Sequence, residues 1–273
     1  MNNDLNKNNE NVSDVNLVNV KGQIVMKQST HTEINNIEVD EFQELLDNPN
    51  LPFDKRWSLI SEIDRSNKIY GIYKMFTTEF EKALKKNPNL KTISILDVGS
   101  GSAGLSVYLE KWMLKKGIEI EVNLYDSQID VLHESKKKFS KSHVNIHQAT
   151  SEHLKVYKEN SFDFVVCLHV IHHIHPHQVA VSAIEEMHRI ASKGVIVVDI
   201  DYRPAFIPMA EFINFAIGIS KDLRSDGYKS MKRAYNLKNL LKNMNLITIN
   251  KKFNITTQNK FFMPYWIISS FKK

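Results

Sequence analysis

The chain has 273 residues, 42% of them hydrophobic and 25% charged, with a formal net charge of +5. That length suits one large α/β domain with a small cap or tail. A single cysteine, Cys167 in the apolar run FVVCL, excludes an internal disulfide and a cysteine-clustered zinc site, and reads as a buried small hydrophobe.

No apolar run is long enough to cross a bilayer, and MNNDLNKNNENVSD lacks the basic start and apolar stretch of a signal peptide. The lysines are scattered rather than gathered with arginine on one face. The expectation is a cytoplasmic protein with no membrane span and no nucleic-acid partner. Residues 1 to 35 are rich in Asn, Asp, Lys and Ser without periodicity, which reads as a disordered tail. From 36 to 89 apolar residues recur three or four apart, predicting a helical cap that ends at Asn87-Pro88-Asn89.

Strands and helices then alternate from residue 90 to 273. The predicted strands are TISILDV, IEIEVNLYD, HVNIHQA, FDFVVCLHV and GVIVVDID, with helices at about 103–116, 128–140 and 177–192. This order implies a parallel sheet covered by helices on both faces. Residues 203 to 243 read as a helical insertion, and LITINKKFN and FFMPYWIISSFKK as an antiparallel strand pair joined by a short polar link.

LDVGSGSAGLS, from Leu96 to Ser106, joins the first of these strands to a helix through a glycine turn, the layout of a nucleotide-binding corner. Gly99, Gly101 and Gly104 satisfy G-x-G-x-x-G, and Asp126 ends the next strand where a ribose-binding acid is expected. An NAD oxidoreductase fits that pattern. Asp97, two residues before Gly99, decides against it, because a carboxylate there repels a pyrophosphate. S-adenosylmethionine brings an ammonium and a sulfonium instead, and Asp97 suits both.

LDVGSGSAG resembles the first motif of class I S-adenosylmethionine-dependent methyltransferases, LYD with Asp126 their second, and SFDFVVCLHVIHHI their fourth. EMHRIASKGVIVVDID is similar to the helix-to-strand passage that follows. The nearest branch contains quinone and natural-product O-methyltransferases, which places the chain in secondary metabolism. The resemblance implies a Rossmann-like seven-stranded sheet, mostly parallel with its last strand antiparallel, helices on both faces and a helical cap. It also implies that Asp97, Gly99, Ser100, Gly101 and Gly104 hold the methionine end, and that Asp126 clamps the ribose. Ser127 and Gln128 would flank the adenine, and Thr150 followed by Ser151 would stand where relatives place an adenine-binding aspartate. Leu168 and His169 would border cofactor and acceptor.

LHVIHHIHPH gathers five histidines without a cysteine or an obvious acidic third ligand, so no metal site is expected. A general base suits them better, His169 first and His172 second, with Tyr202 and Arg203 beside the acceptor. The aromatic and apolar residues of the cap and the insertion, among them Tyr70, Tyr73, Met209, Phe212 and Phe215, predict an enclosed pocket for a small lipophilic acceptor methylated at a hydroxyl oxygen. An RNA or protein methyltransferase is the alternative, an NAD-dependent oxidoreductase a weaker one, and a homodimer is a possible assembly.

Overall fold

The computed structural model describes residues 17–20, 23–26, 42–139, 142–238, 240, 253–260 and 263–272. Among the described residues its sheet has nine strands. They are β1 (Leu17–Val20), β2 (Gln23–Met26), β3 (Thr92–Val98), β4 (Glu119–Asp126), β5 (His143–Gln148), β6 (Phe162–Leu168), β7 (Ala191–Ile200), β8 (Asn254–Lys260) and β9 (Met263–Phe271). The order across the sheet is β1-β2-β5-β4-β3-β6-β7-β9-β8.

Strands β5, β4, β3, β6 and β7 are parallel, and β9 runs antiparallel to both β7 and β8. This is the seven-stranded, Rossmann-like arrangement expected. β1 and β2 add a hairpin at its edge, within the segment expected to be a tail, and β2 pairs with β5 through Ile24 and Val25. The rest of that segment lies outside the described residues.

The five central strands form because both faces of each are covered. Ile93, Ile95, Leu96 and Val98 of β3 are all buried, the near-continuous apolar run of a parallel strand. Helices α3 (Gly104–Leu114), α4 (Ile129–Lys136) and α5 (His177–Ile190) supply the crossovers. The cap contributes α1 (Phe53–Ile69) and α2 (Tyr73–Lys86), the latter burying Phe76, Phe80 and Ala83 along one stripe. Burying a phenylalanine fully is worth about 1.5–3 kcal/mol, so this stripe anchors the cap firmly on the sheet.

The insertion folds as α6 (Ile207–Ala216) and α7 (Lys221–Arg233). α7 docks against the cap's 3-10 turn Leu45–Asp47, with the Asp226 carboxylate accepting the N–H groups of Leu45 and Leu46 at 2.8 and 3.2 Å.

Two expectations need correction. The polar ITTQNK, read as a link, belongs to strand β8, because an edge strand needs only one apolar face. Most of LITINKKFN lies outside the described residues. In α6, Met209, Phe212 and Phe215 point to solvent, with Phe212 66% and Phe215 65% exposed, so they line no pocket.

Candidate active site

The chain runs from β3 outward to β4 and β5 on one side, then returns to β6 and β7 on the other. A crevice opens at such a switch point, beyond the carboxyl ends of the strands. Asp97, Asp126, Leu168 and Asp199 all stand at or within one residue of these ends. A cavity of about 570 Å³ lies there, walled by the strand ends, by α1 and the 44–47 turn, and by α7.

The glycine loop is tied down from both sides. Gly99 and Ser100 donate their N–H groups to the Tyr125 carbonyl at 2.7 and 3.1 Å, and Gly101 donates to Asp126 Oδ2 at 2.9 Å. Gly99 has φ +69°, and a Cβ there would stand 2.2 Å from Val170. Gly104 opens α3 and has no room for a Cβ either, since the Asp64 carboxylate and the Tyr73 hydroxyl of the cap occupy that space. Asp64 Oδ1 accepts from Tyr73 at 2.5 Å.

This arrangement disfavours a pyrophosphate. The Gly99, Ser100 and Gly101 amides are bonded within the protein, and a carboxylate sits against the residue that opens the helix. A cationic methionine end fits instead, because Asp97 is buried and accepts only the Ser106 hydroxyl from a side chain, at 2.6 Å. Burial, aided by the nearby charge of Asp126, pushes the Asp97 carboxyl up to about 7.

Residues 96–199 match the family model described as a methyltransferase domain. This stretch of the chain is a methyltransferase domain.

No curated protein matches this methyltransferase in sequence. Among solved structures it is similar to a SAM-dependent methyltransferase from Aquifex aeolicus, at 14% identity and a TM-score of 0.51, covering 79% of this chain and 98% of that one. It is also similar to the plantazolicin methyltransferase BamL, crystallised with a triazolic desmethylPZN analogue and SAH, at 13% identity and a TM-score of 0.58, covering 79% and 91%. At these identities the likeness shows the shared fold.

The cofactor is S-adenosylmethionine, and the residues present fit it. Asp126 accepts Gly101 and Gln128 N–H groups, which uses two of about four acceptor positions and leaves the rest for a ribose diol. Ser100, Ser127, Thr150 and Leu168 line the cavity, and the buried Ser100 hydroxyl has no partner. Thr150 Oγ1 lies 2.7 Å from His153 Nδ1. The side chain of Ser151 lies outside the described residues.

At the other end of the cavity His169 follows β6 with φ +57° and stacks on Tyr265, ring centroids 5.6 Å apart. Burial holds its pKa down at about 4, so it is a neutral ring at pH 7. His172 is buried in the 3-10 turn Ile171–His173. Its Nδ1 is 2.7 Å from Asp199 Oδ1, and its backbone N–H donates to Asp199 Oδ2 at 3.2 Å. Burial alone would raise the Asp199 carboxyl, but the His172 imidazole against it holds it low. The Nε2 atoms of both rings are buried without a hydrogen-bond partner.

Other residues that line the cavity had no local signal in the sequence. Glu44, 128 positions before His172, reaches the histidines and accepts from the Ser230 hydroxyl at 2.7 Å. Its carboxyl is pushed up to about 7 by burial. An acidic partner for the histidines therefore exists, contrary to the sequence reading. Tyr202 and Arg203 do not line the cavity, since Arg203 Nε turns back to Asp201 Oδ2 at 2.7 Å.

Proposed function

We propose that this methyltransferase acts on a small acceptor with an apolar body and a hydroxyl, and methylates the hydroxyl oxygen. The cavity supports this division. Ile60, Ile63, Leu223, Met231 and Met263 give it apolar walls, while Glu44, His172 and Ser230 make one end polar.

The observation that carries the reading is the His172–Asp199 pair. A buried carboxylate on Nδ1 fixes the imidazole's tautomer and leaves Nε2 as the acceptor, facing the cavity without a partner. S-adenosylmethionine supplies an activated methyl group. The protein aligns an oxygen behind it, keeps water out and takes the hydroxyl proton, on His172 or on His169. Asp97 holds the ammonium and the Asp126 carboxylate the ribose, which sets the direction of the sulfonium.

The test uses methyl-labelled cofactor, purified protein and an extract of the source cells, with products divided into solvent-extractable and acid-precipitable fractions. Label in the solvent fraction, lost in His172→Ala and His169→Ala while both still bind S-adenosylhomocysteine, supports the reading. Label in the precipitate overturns it in favour of RNA or protein.

A further inference from the structure

Beside the cofactor pocket, the 3-10 turn at Ile171–His173 and the cap turn at Glu44 bring three metal-ligating side chains to one point. The His172 and His173 rings have centroids 4.1 Å apart and planes inclined by 39°. His172 Nε2 is 3.8 Å and His173 Nδ1 3.9 Å from the same atom, Glu44 Oε1. All three donor atoms lie within 4.8 Å of one another. Both nitrogens are buried; that of His172 has no hydrogen-bond partner, and that of His173 faces Asp47 Oδ1 at 3.3 Å.

A tetrahedral ion with bonds near 2.05 Å spaces its ligand atoms about 3.3 Å apart, so movements of about half an ångström bring the two nitrogens to that spacing from Glu44 Oε1. We infer that Glu44, His172 and His173 form a binding site for a divalent transition-metal ion, of the zinc, iron(II) or cobalt(II) class, at the acceptor end of the cavity.

Three features support a built site. Asp199 on Nδ1 orients His172 with its free lone pair on Nε2, the carboxylate–histidine arrangement common behind metal ligands. Two imidazoles with one carboxylate are the donor set of transition metals, whereas magnesium and calcium prefer oxygen throughout. Carboxylates also outnumber cations here. Asp47 Oδ1 lies 3.3 Å from His173 Nδ1 and offers a fourth oxygen, while the guanidinium of Arg233 pairs with the other oxygen of Asp47 and reaches only 4.0 Å from Glu44 Oε1.

The inference rests on the proposed function only for the use of the ion. A metal position left open toward the cavity binds the acceptor oxygen and lowers the pKa of its hydroxyl. The His172 lone pair is then occupied, which leaves His169 to take the proton.

The experiment titrates tag-free, chelator-treated protein with Co²⁺ and, separately, measures S-adenosylhomocysteine binding by calorimetry in metal-free buffer. Expected are one Co²⁺ per chain with the strong visible absorption of a low-coordinate, nitrogen-ligated ion, and affinity at least tenfold weaker in Glu44→Gln and His173→Gln. Both variants should keep their S-adenosylhomocysteine affinity, which shows them folded. Should either lose it, the wild-type stoichiometry and spectrum decide alone. A weak spectrum of oxygen-ligated cobalt, or equal affinity in folded variants, overturns the metal site. Failure of the wild-type protein to bind S-adenosylhomocysteine overturns the cofactor reading instead, whatever the cobalt shows.

Discussion

The Asp199 carboxylate holds His172 twice, taking its ring Nδ1 on one oxygen at 2.7 Å and its backbone N–H on the other at 3.2 Å. A single side chain at the end of β7 thus fixes both the turn and the direction of the imidazole. In Asp199→Asn the shape survives but the ring loses its anionic partner. Methyl transfer into the solvent-extractable product should fall by about 10²-fold or more. Affinity for S-adenosylhomocysteine, measured by calorimetry, should stay within about twofold of wild type, since charge-assisted contacts to the cofactor lie elsewhere.

Asp97→Asn keeps the hydrogen bond to Ser106 and removes the charge opposite the cofactor ammonium. S-adenosylhomocysteine should bind about 10–100-fold more weakly, the scale of one charged hydrogen bond. Unchanged affinity would remove Asp97 from the cofactor site.

The raised pKa of Asp97 gives that site a pH dependence. Up to about pH 7 the free carboxyl keeps its proton because burial disfavours the anion, and only the anion pairs with an ammonium. Binding therefore releases a proton, and affinity rises with pH, by about fivefold from pH 6 to pH 7. Calorimetry at both pH values checks this, and the Asp97→Asn variant should lack the Asp97-linked rise.

Gly104→Ala drives a Cβ to 1.9 Å from Asp64 Oδ1 and 2.5 Å from the Tyr73 hydroxyl. It should destabilise the protein by about 1–3 kcal/mol. In an Asp64→Ala, Tyr73→Phe background, where both obstructing oxygens are gone, the same change should cost within about 0.5 kcal/mol of nothing. Denaturant unfolding of the four proteins measures the coupling.

Phe212→Ser should alter stability by no more than about 0.5 kcal/mol, because the ring is in solvent rather than in a pocket. A loss of several degrees in melting temperature would show that α6 buries this face against something.

Strands β3 to β7 and the crossover helices were legible in the sequence because their apolar runs and glycine breaks are local signals. Asp97, Asp126, His169 and His172 were legible for the same reason, since each lies at a strand end inside a compact motif. Strand β8 was not, as an edge strand can be largely polar. Glu44, Asp64 and Ser230 carried no signal either, for they reach the site only when separate segments dock, and the Ser230–Glu44 bond spans 186 positions. Asp199 did leave a trace. An acid in the apolar run VIVVDI must find a partner if that strand is buried, and His172 is that partner.

Gly104 was read as part of a ligand signature, yet in the structure its missing side chain receives the cap. The residue that opens α3 thereby couples two events. Any shift of the loop on cofactor binding would pass through Asp64 and Tyr73 to α1 and α2, whose chain also carries Glu44 of the cavity. Steady-state kinetics should then be ordered, with the methyl donor arriving first and the acceptor meeting a completed chamber only afterwards.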